Sequence, residues 1–554
     1  MQEREAAKVG IEDVTALVAM IEEVVGEAVK SAARLTDGGK NIDSWQVHSE
    51  RVAYAATEVL AAKAMVEYAT AAAAAGVDAS LFVDQAAVFA GETAAKLTGQ
   101  LAAASEDYGL PAGLVERTLG ADKIRALIRT CASEDRVRAI GRAVAETRGV
   151  NNAWVSEEDV AMVRDSVRGF AQKVVAPLAE RIHRHDELVP DTLIQAMADM
   201  GYFGMSAPEE YGGLGMGNLA MIVTTEELSR VSLAAAGSLI TRPEILTKAL
   251  LKGGTEEQKR AWLGSVSSGE LMVAISVTEP NTGSDVASVA CRAERAEVEG
   301  RKGWVINGPK AWCTFAGRAN VIALLARTDP DPKTGARGLS LFIVEKDAFQ
   351  GHEFEMKQSG GGTLSGKADA TPGYRGMHSY TLAFENYFVP EENLIGGEKG
   401  LNKGFYLQMN GFAAGRLQTG GRATGLAQAS LEAAAGYAVD RKQFGSPLID
   451  FQLTQYKLGR MATYTQAARQ ITYRSARAMD VDETISLEPA MAKLLACDVA
   501  VAVSQEGQLV HGGWGYAEEY PISRYVVDAT VLPIFEGVKP VLELKVIARQ
   551  LLAV

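Results

Sequence analysis

The sequence predicts a mostly α-helical protein with an antiparallel β-domain set inside the chain. Three observations carry this: residues 1–150 are alanine-rich with helical patterning, residues 271–400 hold short β-prone runs divided by Gly, Pro, Asn and Asp, and long helical patterns return from about Leu401. Strands gathered between helical blocks, rather than alternating with single helices, argue against a doubly wound parallel sheet. At roughly 100–200 residues per domain, the 554 residues ask for three or four domains.

The first block, 1–150, breaks at Asp37-Gly38-Gly39, Gly76-Val77-Asp78 and Gly109-Leu110-Pro111. Between the first two breaks Val52, Ala56, Val59 and Val66 recur at helical spacing, with Glu50, Arg51, Glu58, Lys63 and Glu67 between them. The block reads as a helical bundle for packing or assembly. The second block, 151–270, opens at Ser156-Glu157-Glu158-Asp159, a capped start with acids in its first turn, and is interrupted at residues 207–215. The third, 271–400, carries the strands MVAISVT, WVING, NVIALLA, LSLFIVE and SYTLAFENYFV. The fourth, 401–554, includes helices over residues 423–440 and 451–479.

Composition excludes several classes. Lys plus Arg total 56 against 69 Asp plus Glu, a net charge of −13, which disfavours nucleic acid because phosphate backbones are bound by excess basic charge. A 47% hydrophobic and 23% charged composition excludes disorder and collagen-like repeats. Cys131, Cys291, Cys313 and Cys497 stand far apart without a CxxC pair, and six histidines without HExxH or HxH spacing predict no metal. An acidic N-terminus, MQEREAAK, and no run of about 18 apolar residues predict a soluble, cytoplasmic protein with no membrane partner.

Several segments could carry chemistry. GGTLSGK (361–367) satisfies GxxxxGK, but Ala368 stands where a phosphate loop needs a hydroxyl, and Thr371-Pro372-Gly373 forbids the helix that must follow. It reads instead as part of a long Gly-rich loop, 359–376, within the β-domain. TEPNTGSD (278–285) puts hydroxyls and backbone N–H groups at the end of a strand, where they can serve a ligand or form a surface turn. Trp312 and Thr314, two residues apart on the next strand, share a face that could meet a flat heteroaromatic ring, or Trp312 is core. Glu536, in LPIFEG, is a general base if buried and an ordinary first-turn acid if exposed.

In this order PEEYGGLG (208–215), VTEPNTGSD (277–285), GPKAWCT (308–314), DRKQFGSPLIDFQ (440–452), HGGWGY (511–516) and IFEG (534–537) resemble the acyl-CoA dehydrogenase family of flavoproteins. The resemblance covers nearly all of 151–554. It implies an N-terminal helical domain, a middle β-domain and a C-terminal four-helix domain, with FAD lying between subunits of a homodimer and electrons passing to electron-transfer flavoprotein. It also implies site residues: Val277, Thr278, Gly283, Ser284, Trp312, Thr314 and Gly537 for the flavin side, and Arg441, Phe444, Gln452, Gly512 and Gly513 for the pyrophosphate and adenosine of a neighbouring subunit. Ser284 and Arg416 would meet the CoA ester, and Glu536 would be the base. Gly415, before Arg416, lacks the glutamate some members use as base, and Leu509 stands where the family has a glutamine that here is Gln508.

Residues 1–150 and the excursion 359–382 exceed the standard family unit. Both resemble the branch that oxidises a short, branched dicarboxylyl thioester to mesaconyl-CoA in the ethylmalonyl-CoA route. A distal carboxylate needs a cation, so Arg242 is the first candidate, with Arg375 and His378 of the excursion next; each could instead be a surface charge. Rival readings are an acyl-CoA oxidase, a nucleic-acid-associated flavoprotein of this fold, opposed by the net charge and Glu536, and a non-catalytic helical scaffold.

Overall fold

The computed structural model describes residues 8–553, which divide into two compact units. One runs to Asp165 and resumes at Thr419; the other spans Ser166–Gln418.

The first unit has three helices, Ile11–Leu35, Gln46–Ala74 and Ser80–Ala103; the first two end at the glycine breaks that the sequence marks, and the third stops short of the break at Gly109. Ile11–Leu35 buries Val14, Leu17, Val18, Ile21, Val24, Val25 and Ala28, the single stripe that a 3.6-residue period predicts. Gln46–Ala74 differs, because it packs both on its neighbours in the extension and on the later helix Gln452–Val481. Its alternate face is therefore buried too, and Glu58, which the pattern leaves outside, is 8% exposed and paired with Lys96. Burial pushes the Glu58 carboxyl up against that pull.

The extension is thus bonded to the C-terminal helices of its own chain. Tyr54 Oη donates to Asp498 at 2.9 Å, and Tyr464 Oη and Arg460 reach Glu92 at 2.6 and 3.0 Å. Helices Glu134–Glu146 and Gln452–Val481 cross almost backbone to backbone, since a Cβ on Gly141 would lie 1.9 Å from the Gln455 carbonyl and one on Gly459 1.9 Å from that of Val137. The C-terminal helix expected from residue 423 begins at Gly404 and runs to Asp440; glycines at 404, 411, 415 and 420 mask its start without breaking it.

The second unit holds helices such as Ala176–Arg184, Gly217–Val231 and Thr241–Gly253, and one eight-stranded sheet. Its strands are β1 (Val273–Ser276), β2 (Arg292–Val298), β3 (Arg301–Thr314), β4 (Val321–Arg327), β5 (Leu339–Glu345), β6 (Glu353–Lys357), β7 (Thr363–Ala368) and β8 (Ser379–Pro390). The order is β1-β4-β2-β3-β8-β7-β6, with β5 beside β4. Most pairs are antiparallel, but β1 and, at one residue, β2 run parallel to β4, because the chain passes along β2 and β3 before it reaches β4.

The Gly-rich segment is also shorter as a loop than expected. Residues 363–368 form β7, paired to both β6 and β8, with Leu364 and Gly366 buried between exposed or half-buried neighbours. Glycines hid that alternation, and the GxxxxGK match lies in a hairpin rather than at a helix start. All four cysteines are buried and free, and among the described residues no helix is long and apolar enough to cross a membrane.

Candidate functional site

The loop after β1 is held from inside. Lys310, fully buried on β3, donates from Nζ to the Val277 carbonyl at 2.9 Å and to Glu279 Oε1 at 3.0 Å. Glu279 accepts in turn from the backbone N–H groups of Ala290 and Cys291, both at 2.8 Å, and Ala311 N–H donates to the Thr278 carbonyl. These bonds fasten both ends of the loop and leave Gly283 and Ser284 exposed at its tip. Val277 is buried and Thr278 half-buried. The Lys310–Glu279 pair is the residue pair that sequence reasoning missed; a lysine and a glutamate 31 positions apart carry no local signal.

Trp312 and Thr314 are not related by strand alternation. The β3–β8 register shifts between Lys310 and Cys313, and Trp312 there adopts φ 58°, a left-handed conformation in a bulge. Trp312 is consequently 59% exposed, whereas Thr314 is buried with its hydroxyl 3.0 Å from that of Ser379. Burial pushes the intervening Cys313 thiol up to about 12 against the opposing hydrogen bond to Ser276, so little reactive thiolate forms.

Arg242, in helix Thr241–Gly253, is 5% exposed. Its Nη1 donates to the Ser238 carbonyl at 3.1 Å and to Tyr374 Oη at 3.0 Å, and Tyr374 belongs to the excursion. Arg375 turns elsewhere: Nη1 donates to the His183 carbonyl at 3.1 Å, and Nε lies 3.4 Å from Asp186. His378 is 5% exposed with Nε2 3.1 Å from Asp186, and burial pushes its imidazole down against the pull of that carboxylate. Arg416 is buried in helix Gly404–Asp440.

Within the first unit, Glu536 has φ 49°, an unusual conformation for a non-glycine residue and one of the kinds that cluster at reactive sites. Its side chain is 7% exposed, 3.2 Å from the fully buried Arg422, and accepts from Thr419 Oγ1 at 3.3 Å. Arg422 also donates to Thr419 and lies 4.6 Å from the Phe535 ring, so one guanidinium orients the loop and its carboxylate together. Lys493 donates to the Gly537 carbonyl at 2.7 Å. Arg422 was not singled out from sequence, since it is one polar residue inside an alanine- and glycine-rich helix.

The other predicted residues of this unit lie at helix ends. Arg441 follows helix Gly404–Asp440, and Phe444 (φ 52°) and Gly445 (φ 86°) form a two-residue hairpin turn that leaves Phe444 95% exposed. Gln452 begins the next helix, exposed. Gly512 and Gly513 end helix Leu487–His511 with no protein atom within 4 Å of where a Cβ would stand, open to a close approach from outside. Gln508 donates to the Gly515 carbonyl while Leu509 is exposed, so the departure from the family pattern leaves the glutamine serving its own backbone.

These surfaces fit a flavin. An indole held out of the core by a bulge, beside a loop tip of free hydroxyls and small residues, offers a stacking face and donors to a planar ring. The exposed Phe444 and the unobstructed glycines offer the same to an adenosine and its phosphates.

Comparison with known proteins agrees with this arrangement. Models of the acyl-CoA dehydrogenase N-terminal, middle and C-terminal domains match residues 157–270, 274–387 and 402–552. The chain is 44% identical over 396 residues to (2S)-methylsuccinyl-CoA dehydrogenase of Cereibacter sphaeroides, covering 72% of this chain and 70% of that one. Among solved structures, butyryl-CoA dehydrogenase of Megasphaera elsdenii matches with TM-score 0.64 at 29% identity, over 70% of this chain and 97% of that one. A glutaryl-CoA dehydrogenase complexed with glutaryl-CoA matches with TM-score 0.63 at 31% identity, over 71% and 94%. The three consecutive domain matches, on the fold and loops described above, make the chain a member of the acyl-CoA dehydrogenase family, an FAD-dependent oxidoreductase acting on the CH–CH bond of an acyl-CoA.

Proposed function

We propose that the substrate is a short, branched dicarboxylyl-CoA, (2S)-methylsuccinyl-CoA, oxidised to mesaconyl-CoA. The observation that carries this reading is Arg242, a buried guanidinium whose hydrogen-bond partners among the described residues, a backbone carbonyl and a tyrosine hydroxyl, are both neutral. A buried charge without an opposite charge is costly unless something supplies one, and a distal carboxylate would. The 44% identical relative that bears this substrate in its name supports the same reading.

In the reaction Glu536 takes the α-proton of the thioester, and its backbone N–H donates to the thioester carbonyl as enolate character develops. Bound FAD supplies the acceptor for the hydride leaving the β-carbon. Val277, Thr278, Gly283, Ser284, Trp312, Thr314 and Gly537 hold the flavin side; Ser284 and Arg416 hold the CoA ester. Arg441, Phe444, Gln452, Gly512 and Gly513 hold the far end of the cofactor of a second copy, which makes the working form a homodimer. Exposed Phe444, Leu453, Leu509 and Tyr516 in the first unit support such a partner. Electron-transfer flavoprotein would be the partner that takes up the electrons. Reoxidation faster in air than with that protein would make the enzyme an oxidase instead.

Arg242→Ala should lower kcat/KM for methylsuccinyl-CoA by about 30- to 1000-fold, the 2–4 kcal/mol lost when one partner of a buried charge pair is removed. Butyryl-CoA, lacking the carboxylate, should lose little. Equal losses on both esters in a flavin-bleaching assay would remove Arg242 from substrate recognition.

A further inference from the structure

Outside the dehydrogenase machinery, the second unit brings Asp186, His352 and His378 together from three distant segments, and we propose that they form a binding site for a divalent transition ion of the zinc class. One ligand atom from each residue lies within 4.8 Å of the others. Asp186 follows helix Ala176–Arg184, His352 precedes β6, and His378 precedes β8.

Two of the three positions are already set. His378 Nε2 stands 3.1 Å from Asp186 Oδ1, close to the separation of roughly 3.3 Å that two ligands on a tetrahedral ion adopt with bonds near 2.0–2.1 Å. The His352 ring centroid is 4.4 Å from that of His378. His352 is exposed, while its carbonyl accepts from Ala368 N–H at 2.7 Å, so its backbone is pinned and its imidazole can turn to close the remaining distance.

Backbone geometry supports a built arrangement. Asp186 (φ 54°) and His378 (φ 47°) both adopt left-handed conformations that non-glycine residues rarely take. Arg375 is the facing cation, with Nε 3.4 Å from the same Asp186 Oδ1; among the described residues Asp186 Oδ2 has no partner, so a turn of the carboxylate can keep one oxygen on Arg375 while the other meets the ion beside His378. Two imidazoles and one carboxylate suit zinc, cobalt or nickel and are a poor set for calcium or magnesium, which take oxygen. Three protein ligands also leave a fourth position for water.

An ion there would tie the excursion to the end of helix Ala176–Arg184, a few residues along the chain from Tyr374, which touches Arg242. The test uses the full-length flavoprotein, treated with chelator and titrated with Zn²⁺ by calorimetry, with Co²⁺ absorption as a second probe. One Zn²⁺ per chain should bind and raise the thermal midpoint. His352→Gln, an exposed change that leaves the fold intact, should weaken binding by at least about a hundredfold, the upper end for loss of even an outer partner. His378→Ala should abolish the Co²⁺ spectrum. Absence of saturable binding, or binding and stabilisation that His352→Gln leaves unchanged, would overturn the site.

Discussion

Glu536→Gln will give a yellow, FAD-bound protein whose flavin is reduced by methylsuccinyl-CoA at least about 10²–10⁴-fold more slowly, the usual contribution of a positioned general base. The substitution is nearly isosteric, so Thr419 keeps an oxygen to donate to and the loop keeps its shape. What is lost is the only group in the loop able to take a proton from carbon. A second consequence separates this chemistry from simple loss of fold. Arg422 is fully buried and 3.2 Å from Glu536, so a neutral amide leaves it without that counter-charge. Glu536→Gln should therefore also lose some stability in a urea melt. The kinetic loss must exceed anything that lowered occupancy explains, which single-turnover bleaching of FAD-saturated enzyme measures. Reduction at the wild-type rate would exclude Glu536 as the base.

The largest expected loss of stability comes from Lys310→Met. The lysine is fully buried and the Glu279 side chain 6% exposed, so the variant strands a carboxylate in the interior of the β-domain. Removing one partner of a buried ion pair typically costs about 3–5 kcal/mol. The loss also reaches function, because the same Nζ donates to the Val277 carbonyl and holds the loop that carries Thr278 and Ser284. Weaker FAD retention on gel filtration should accompany a lower denaturation midpoint. Pairing it with Glu279→Gln should restore part of the stability, since the amide carries no charge to strand. A single variant within about 1 kcal/mol of wild type would mean that the pair is not what holds the loop.

How far these features could be read from sequence depended on the range of the signal. Glycine and proline punctuation is local, and it placed the ends of the first two long helices of the extension and the strands β1, β4, β5 and β8, whereas β3 runs well beyond WVING and the polar strands β2 and β6 carry no apolar run to mark them. Local alternation failed where a glycine replaced a side chain, as in β7, and where a bulge inserted a residue, as at Trp312. Helical periodicity failed at Glu58, because a helix packed on two sides buries residues that a one-faced pattern assigns to water. Arg422 and Lys310 were silent for another reason. Each acts through a partner more than 30 positions away, and nothing in the intervening residues records that meeting.

Read alone, the sequence determines the family and the order of helical and β-rich blocks, and it points to Glu536 as the candidate base, because short motifs must keep their residues adjacent to do their chemistry. Tertiary structure decides what surrounds them: that the Glu536 side chain is buried against Arg422, that Arg242 lies inside bonded to a carbonyl and a tyrosine hydroxyl, and that two histidines and an aspartate from distant segments converge. Burial and charge pairing are set by which elements pack together, and packing is a property of the folded chain, not of any stretch of it.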